Sequence, residues 1–189
     1  MMRMTLSRIW GAKVSKKLDS FRRPSALTCL QAARLRFEQH PTRKVRIMSE
    51  LLDLVHTHYT GLESGDLELA ASPFADDVAS EFPSGPLAGI DALRGLIQAF
   101  ITAFPDMKLT RRNIWLDGDT AVAEVTFSGT QTGPLATPQG EVPPSGRPVT
   151  FPLIDIFTMR SGKVVEHRGY WDNVSFLTQL GLLPAPAES

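Results

Sequence analysis

The stretch from 150 to 172 constrains the fold of this 189-residue chain more than any other. Residues 150–159 alternate, with Phe151, Leu153, Asp155, Phe157 and Met159 on one face. Residues 163–172 alternate too. Val164, Glu166, Arg168, Tyr170 and Asp172 fall on one side, and Val165, His167, Gly169 and Trp171 on the other. A period of two marks strands with one buried face. Arg160-Ser161-Gly162 supplies the turn between them. A lone pair of strands is marginal in water, so the chain must supply more sheet and a cover for it. A carboxylate in the middle of an apolar strand face is unusual. Burial there favours the neutral, protonated form of Asp155.

The rest of the chain supplies both. Residues 120–130 form a further strand, with Ala121, Ala123, Val125 and Phe127 facing one way and Val122, Glu124, Thr126 and Ser128 the other. Residues 107–116 read as its neighbour across an Asp117-Gly118-Asp119 turn. A short strand fits 78–82, with a turn at 83–86. Leu93, Leu96, Ile97, Phe100, Ile101 and Phe104 make an apolar helical stripe over 90–104, and Pro105 stops it. Leu51, Val55, His58, Tyr59 and Leu62 mark a helix over 50–63, with Ser49 as its expected N-cap. Asp66 caps a short helix over 67–72, and a last helix over 173–180 ends at Gly181. Five prolines and four glycines between 129 and 148 predict one long loop, a length often functional. The class is α+β: helices, an antiparallel sheet, then a closing helix.

The formal net charge is zero, but it divides sharply. Residues 1–47 hold twelve Lys or Arg against two acids, a charge of +10, which leaves −10 on residues 48–189. Such asymmetry predicts a basic N-terminal extension over 1–47 and a folded domain over 48–189. The extension is compatible with disorder, with a transit peptide, with a nucleic-acid or membrane arm, or with translation that truly begins at Met48. No run of 18 apolar residues exists, and no secretory apolar stretch opens the chain. A cytoplasmic protein that binds neither nucleic acid nor membrane is the expectation. Cys29 is the only cysteine, which rules out a disulfide scaffold.

Metal, phosphate-loop and dinucleotide motifs do not occur. The histidines are His40, His56, His58 and His167, and none forms a helical pair four apart. His56 reads as a surface residue and His58 as a packed one. Interest falls on the titratable groups at 155–172, because convergent acids in an apolar cavity are the default site hypothesis. Asp155 and Asp172 are the candidate acid/base pair. Arg168, Tyr170, Trp171, Tyr59, Phe82 and Phe157 are candidate pocket residues. Each also has a plainer reading: Asp172 as a helix N-cap, Arg168 as a structural ion-pair partner, the aromatics as core.

"SGDLELAASPFADDV", "GIDALRGLIQAFITAFPD", "FSGTQTGPLATPQGEVPPSGRPVTFPLIDIF", "SGKVVEHRGYWD" and "FLTQLGLLP" together resemble the SnoaL-like polyketide cyclases, or ester cyclases. That family belongs to the nuclear transport factor 2-like superfamily, with the ketosteroid isomerases. The resemblance covers about 48–184. It implies a cone of curved antiparallel sheet wrapped by three to four helices, with a deep apolar pocket. It also implies a homodimer, and aldol-type ring closure or isomerisation of a small apolar carbonyl compound without metal or other cofactor. By this resemblance the aspartate before "QLG", Asp172, is the general base, while Asp155, Tyr170 or Arg168 supplies donors to the enolate. "LIDIF" resembles the segment of ketosteroid isomerase that carries a protonated aspartate, here Asp155, and Tyr59 lies near that enzyme's oxyanion tyrosine. Its general-base position falls on Phe82, which cannot take a proton. The Arg-x-Asp pair of the limonene-epoxide hydrolases is absent. "ATPQGEV" lengthens the loop expected to rim the pocket.

Overall fold

A computed structural model describes residues 26–137 and 140–184, with side chains from 44 onward. The chain divides into two compact units, Met1–Thr42 and Arg43–Ser189. Most of the basic extension therefore lies outside the described residues. The second unit carries everything discussed below.

The helices are α1 (Ala26–Ser64), α2 (Leu67–Ala71), α3 (Ile90–Ala103) and α4 (Asn173–Leu180). The strands are β1 (Phe74–Phe82), β2 (Gly85–Ala88), β3 (Lys108–Asp117), β4 (Thr120–Thr130), β5 (Leu135–Thr137), β6 (Gly140–Val142), β7 (Pro148–Arg160) and β8 (Lys163–Trp171). Six strands make one curved sheet in the order β2-β1-β8-β7-β4-β3, and the class is α+β as expected. No described helix is long and apolar enough to cross a membrane.

Four features depart from the sequence reading. Helix α1 runs straight through Ser49, so that residue is interior to a helix and caps nothing. β1 pairs parallel with β8, so the sheet is not wholly antiparallel. Residues 129–148 are not one open loop, because β5 and β6 pair as a small hairpin. Gln131, wholly buried, staples that segment: its amide donates to the carbonyls of Gly133 and Pro143 and accepts from the Ser145 N–H. Proline tolerates this arrangement because Pro148 stands at the first position of β7. The fourth departure is a bulge in β8. Thr158 pairs with Glu166 and Met159 with Val164, so Val165 has no partner on β7. The extra residue shifts the alternation, and Val164 and His167 both point inward.

The core fills the space between the concave face of the sheet and the helices. Leu51, Val55 and Tyr59 of α1, spaced by four, are fully buried against it. Leu93 and Ile97 of α3 do the same from the other side. Ala121, Ala123, Val125 and Phe127 form the buried face of β4, as its alternation predicts.

Candidate active site

Two side chains reach the site from α1. His58 and Tyr59 are both buried, and the His58 Nδ1 lies 2.8 Å from the carbonyl oxygen of Ala70. That contact needs α2 pressed hard against α1, and Gly61 permits it. A Cβ on Gly61 would stand 2.2 Å from the Ala70 nitrogen. Because a carbonyl can only accept, His58 donates from Nδ1. Burial, and then the neighbouring His167, lowers the His58 pKa from 6.5 to about 4, against opposing effects of Ala70 and Asp155. The imidazole is therefore neutral at physiological pH.

Two more side chains come from the sheet. Asp155, 7% exposed, points inward from β7 among Phe151, Leu153 and Phe157. The Tyr59 hydroxyl donates to its Oδ2 at 2.8 Å, and the His167 Nε2 lies 3.3 Å from its Oδ1. Asp155 pairs in register with Gly169 of β8. A Cβ there would lie 2.9 Å from the carboxylate and 2.8 Å from the Phe82 ring, so the glycine makes the room that both occupy. Burial raises the Tyr59 pKa well above the usual tyrosine value; the negative charge of Asp155 and the hydrogen bond to it add to this, and Arg111 opposes it. The Arg111 guanidinium carbon lies 5.3 Å from the Tyr59 ring centre.

These four groups gather at one end of a cavity of about 620 Å³, its open mouth included. The remainder of the wall is apolar, with Leu93, Ile97 and Phe100 of α3 facing Phe127, Phe151 and Trp171 of the sheet. A few convergent polar groups in a mostly apolar cleft is the usual form of a small-molecule site.

The structure brings together Asp155, Tyr59, Phe82 and Trp171 of the residues picked out from sequence. Phe157 stands behind the wall, stacked on the His167 ring at 4.5 Å between centroids. Arg168 and Tyr170 are not brought to the cavity. Beyond the bulge their alternation carries them to the outer face, away from His167 and Gly169, and Tyr170 is 45% exposed. Asp172 is also off the cavity. It is exposed, and its Oδ1 accepts the Ser175 N–H at 3.0 Å as the N-cap of α4. Its plainer reading is the one the geometry supports. Among the described residues, the 129–148 segment contributes none to the lining.

Sequence reasoning passed over two residues, His58 and His167. The signal for His167 was present, since it shares a strand face with Gly169 and Trp171. His58 could have been found from its place beside Tyr59 in the buried stripe of α1.

The comparisons with known proteins agree with this fold. No curated protein matches the chain significantly. Among solved structures, a candidate SnoaL-like polyketide cyclase from Jannaschia sp. CCS1 superposes with a TM-score of 0.64 at 22% identity, covering 73% of this chain and 96% of that one. TsrD from Streptomyces laurentii gives 0.62 at 29% identity, covering 71% and 97%. IdmH, a candidate polyketide cyclase from Streptomyces antibioticus, gives 0.57 at 29% identity, covering 69% and 98%. The family model described as SnoaL-like polyketide cyclase matches residues 52–180, a span that contains all four polar groups of the cavity. The chain belongs to the SnoaL-like polyketide cyclase family.

Proposed function

We propose that this protein is a cofactor-independent cyclase or isomerase acting on a small apolar carbonyl compound, and that Asp155 carries the proton. The observation behind this reading is Asp155, the one buried carboxylate among the described residues, at the polar end of an apolar cavity and engaged on both oxygens by Tyr59 and His167. Removal of a proton beside a carbonyl needs a base within hydrogen-bond reach and a dry site in which the enolate is held by donors. In an aldol closure Asp155 takes a proton from the carbon next to the carbonyl. The resulting enolate carbon attacks a second carbonyl, and the proton returns to the new alkoxide. Tyr59 is the donor closest to that charge. His58, neutral and anchored to Ala70, offers a second polar contact at the wall without adding charge. The apolar wall of Phe100, Phe127, Phe151 and Trp171 supports a planar, hydrophobic substrate.

Exchange of the α-protons of an aryl β-keto ester into heavy water, followed by NMR, tests the proton step alone. The wild-type protein is expected to catalyse it. Asp155→Asn is expected to lose at least ~100-fold, the usual scale of a general base. Asp172→Asn keeps a capping oxygen and is expected to leave the rate within about twofold. Retained exchange in Asp155→Asn overturns the assignment. Saturable binding of the ester with no exchange at all favours a non-catalytic binding module on the same fold.

The reading extends to a homodimer through the outer sheet face. Register places Trp115, Val122, Ile156 and Arg168 in one row across the sheet, and Asn113, Glu124, Ile154 and Tyr170 in the next. Trp115 is 54% exposed. Such a patch of exposed aromatics with a few charges has the composition of an interface core.

A further inference from the structure

Arg111 sits beside the site and is not part of the cavity wall. β3 carries a bulge here: Arg111 pairs with Val125, and the next paired residue is Asn113, opposite Glu124. Val125 faces the core and Glu124 faces outward, so the extra residue, Arg112, lets Arg111 turn inward while Asn113 turns out. The inward guanidinium is held from one end. Its Nη2 donates to Glu63 Oε2 at 3.0 Å, and Glu63 Oε1 accepts the Leu109 N–H at 2.8 Å. Glu63 is one helical turn beyond Tyr59 on α1, so the same helix face supplies both the clamp and the ring. The guanidinium carbon comes to 5.3 Å from the ring centre. The Arg111 Nε is buried with no hydrogen-bond partner. An arginine placed for its hydrogen bonds would use that donor. This one leaves it unused and keeps its charge over the phenol.

We propose that Arg111 is a positioning residue: clamped by Glu63, its charge over the Tyr59 ring makes the phenol a stronger hydrogen-bond donor, toward Asp155 in the resting site and toward the substrate oxygen once Asp155 holds the substrate's proton. The proposal rests on the functional reading above for its purpose, though not for its test. A cation over an aromatic face attracts the ring's electrons and stabilises the phenolate-like charge that a strong donor must bear. The direction agrees with the effect of Arg111 on Tyr59, which opposes burial and Asp155. Charged or titratable groups around the phenol are Asp155 on β7, Arg111 on β3, Glu63 and His58 on α1, and His167 on β8. Among the described residues, only Arg111 of these carries a fixed positive charge.

The chain has two tyrosines, so Tyr170→Phe leaves Tyr59 as the single reporter. Tyr170 is on the outer face and outside the cavity. Biosynthetic incorporation of a fluorinated tyrosine gives a more acidic phenol, which brings its ionisation into a range where the fold survives, and fluorine NMR then follows it. Arg111→Met in this background is expected to raise the Tyr59 midpoint by roughly 0.5–1 pH unit, at the low end for an opposite charge at this distance because Arg111 is partly solvated. Arg111→Lys keeps the charge and should recover part of the shift. Glu63→Gln removes the neutralising partner and should move the midpoint down. A midpoint indifferent to Arg111→Met in a protein that melts normally overturns the proposal. So does an upward shift in Glu63→Gln, which also serves if Arg111→Met fails to fold. None of these readings needs turnover. A wild-type protein inactive on the keto ester would count against the functional reading alone.

Discussion

Ala70 fixes the tautomer of His58. Its carbonyl accepts the Nδ1–H, and burial makes a second proton costly. The unfolded chain binds that proton near pH 6.5, while the folded one holds off until about pH 4. Between those values the unfolded state binds more protons, so stability falls as pH drops through the window and is flat above it. The full shift corresponds to about 3 kcal/mol. Urea unfolding at a series of pH values should show this slope, and His58→Gln should flatten it. An unchanged slope in that variant would place the pH dependence elsewhere. Asp155 was legible as an anomaly, an acid in an apolar period of two. Asp172 was not. It follows the last strand residue directly, and whether such a carboxylate turns to a cavity or to a helix N–H depends on backbone angles that no spacing encodes.

At the level of elements, most boundaries were readable because period and punctuation agreed. Residues 120–130 alternate cleanly, as do 166–171 beyond the bulge, and Gly181 ends α4 with φ of 79° in the left-handed region. Bulges were unreadable. Each of β3 and β8 spends one residue out of register, which brings Val164 onto the inward face with His167 and lets Arg111 face in while Asn113 faces out; Arg168 and Tyr170 stay opposite His167 and Gly169, as their alternation has it. The 129–148 segment was misread for a different reason. Its prolines forbid a long ladder, but not two three-residue strands held by one buried amide. That amide gives a sharp expectation. Gln131→Leu fills the space but leaves the Pro143 carbonyl and the Ser145 N–H without their partner. It should destabilise the protein by about 2–3 kcal/mol with little effect on the cavity. Thermal unfolding together with the proton-exchange rate checks both halves of that statement.

For the whole second unit, the sheet's two faces have different destinies. The concave face is used up by the core and the cavity, and the outer one exposes Trp115 and Tyr170 in neighbouring rows. Trp115→Arg is expected to shift the protein from dimer to monomer in sedimentation velocity, with the melting temperature of the monomer retained. A wild type that sediments as a monomer at every concentration would end the dimer proposal. The parallel joining of β1 to β8 carries a consequence of another kind. Tyr59 and Asp155 are 96 positions apart, and β1 finds its partner only in the last strand of the sheet. A nascent chain leaving the ribosome therefore holds β1 with one edge open until nearly the whole chain has emerged. The polar groups of the cavity cannot meet before that closure. A stalled or shortened product would display a raw strand edge beside a half-built apolar trough, the kind of surface that chaperones recognise and other copies stick to.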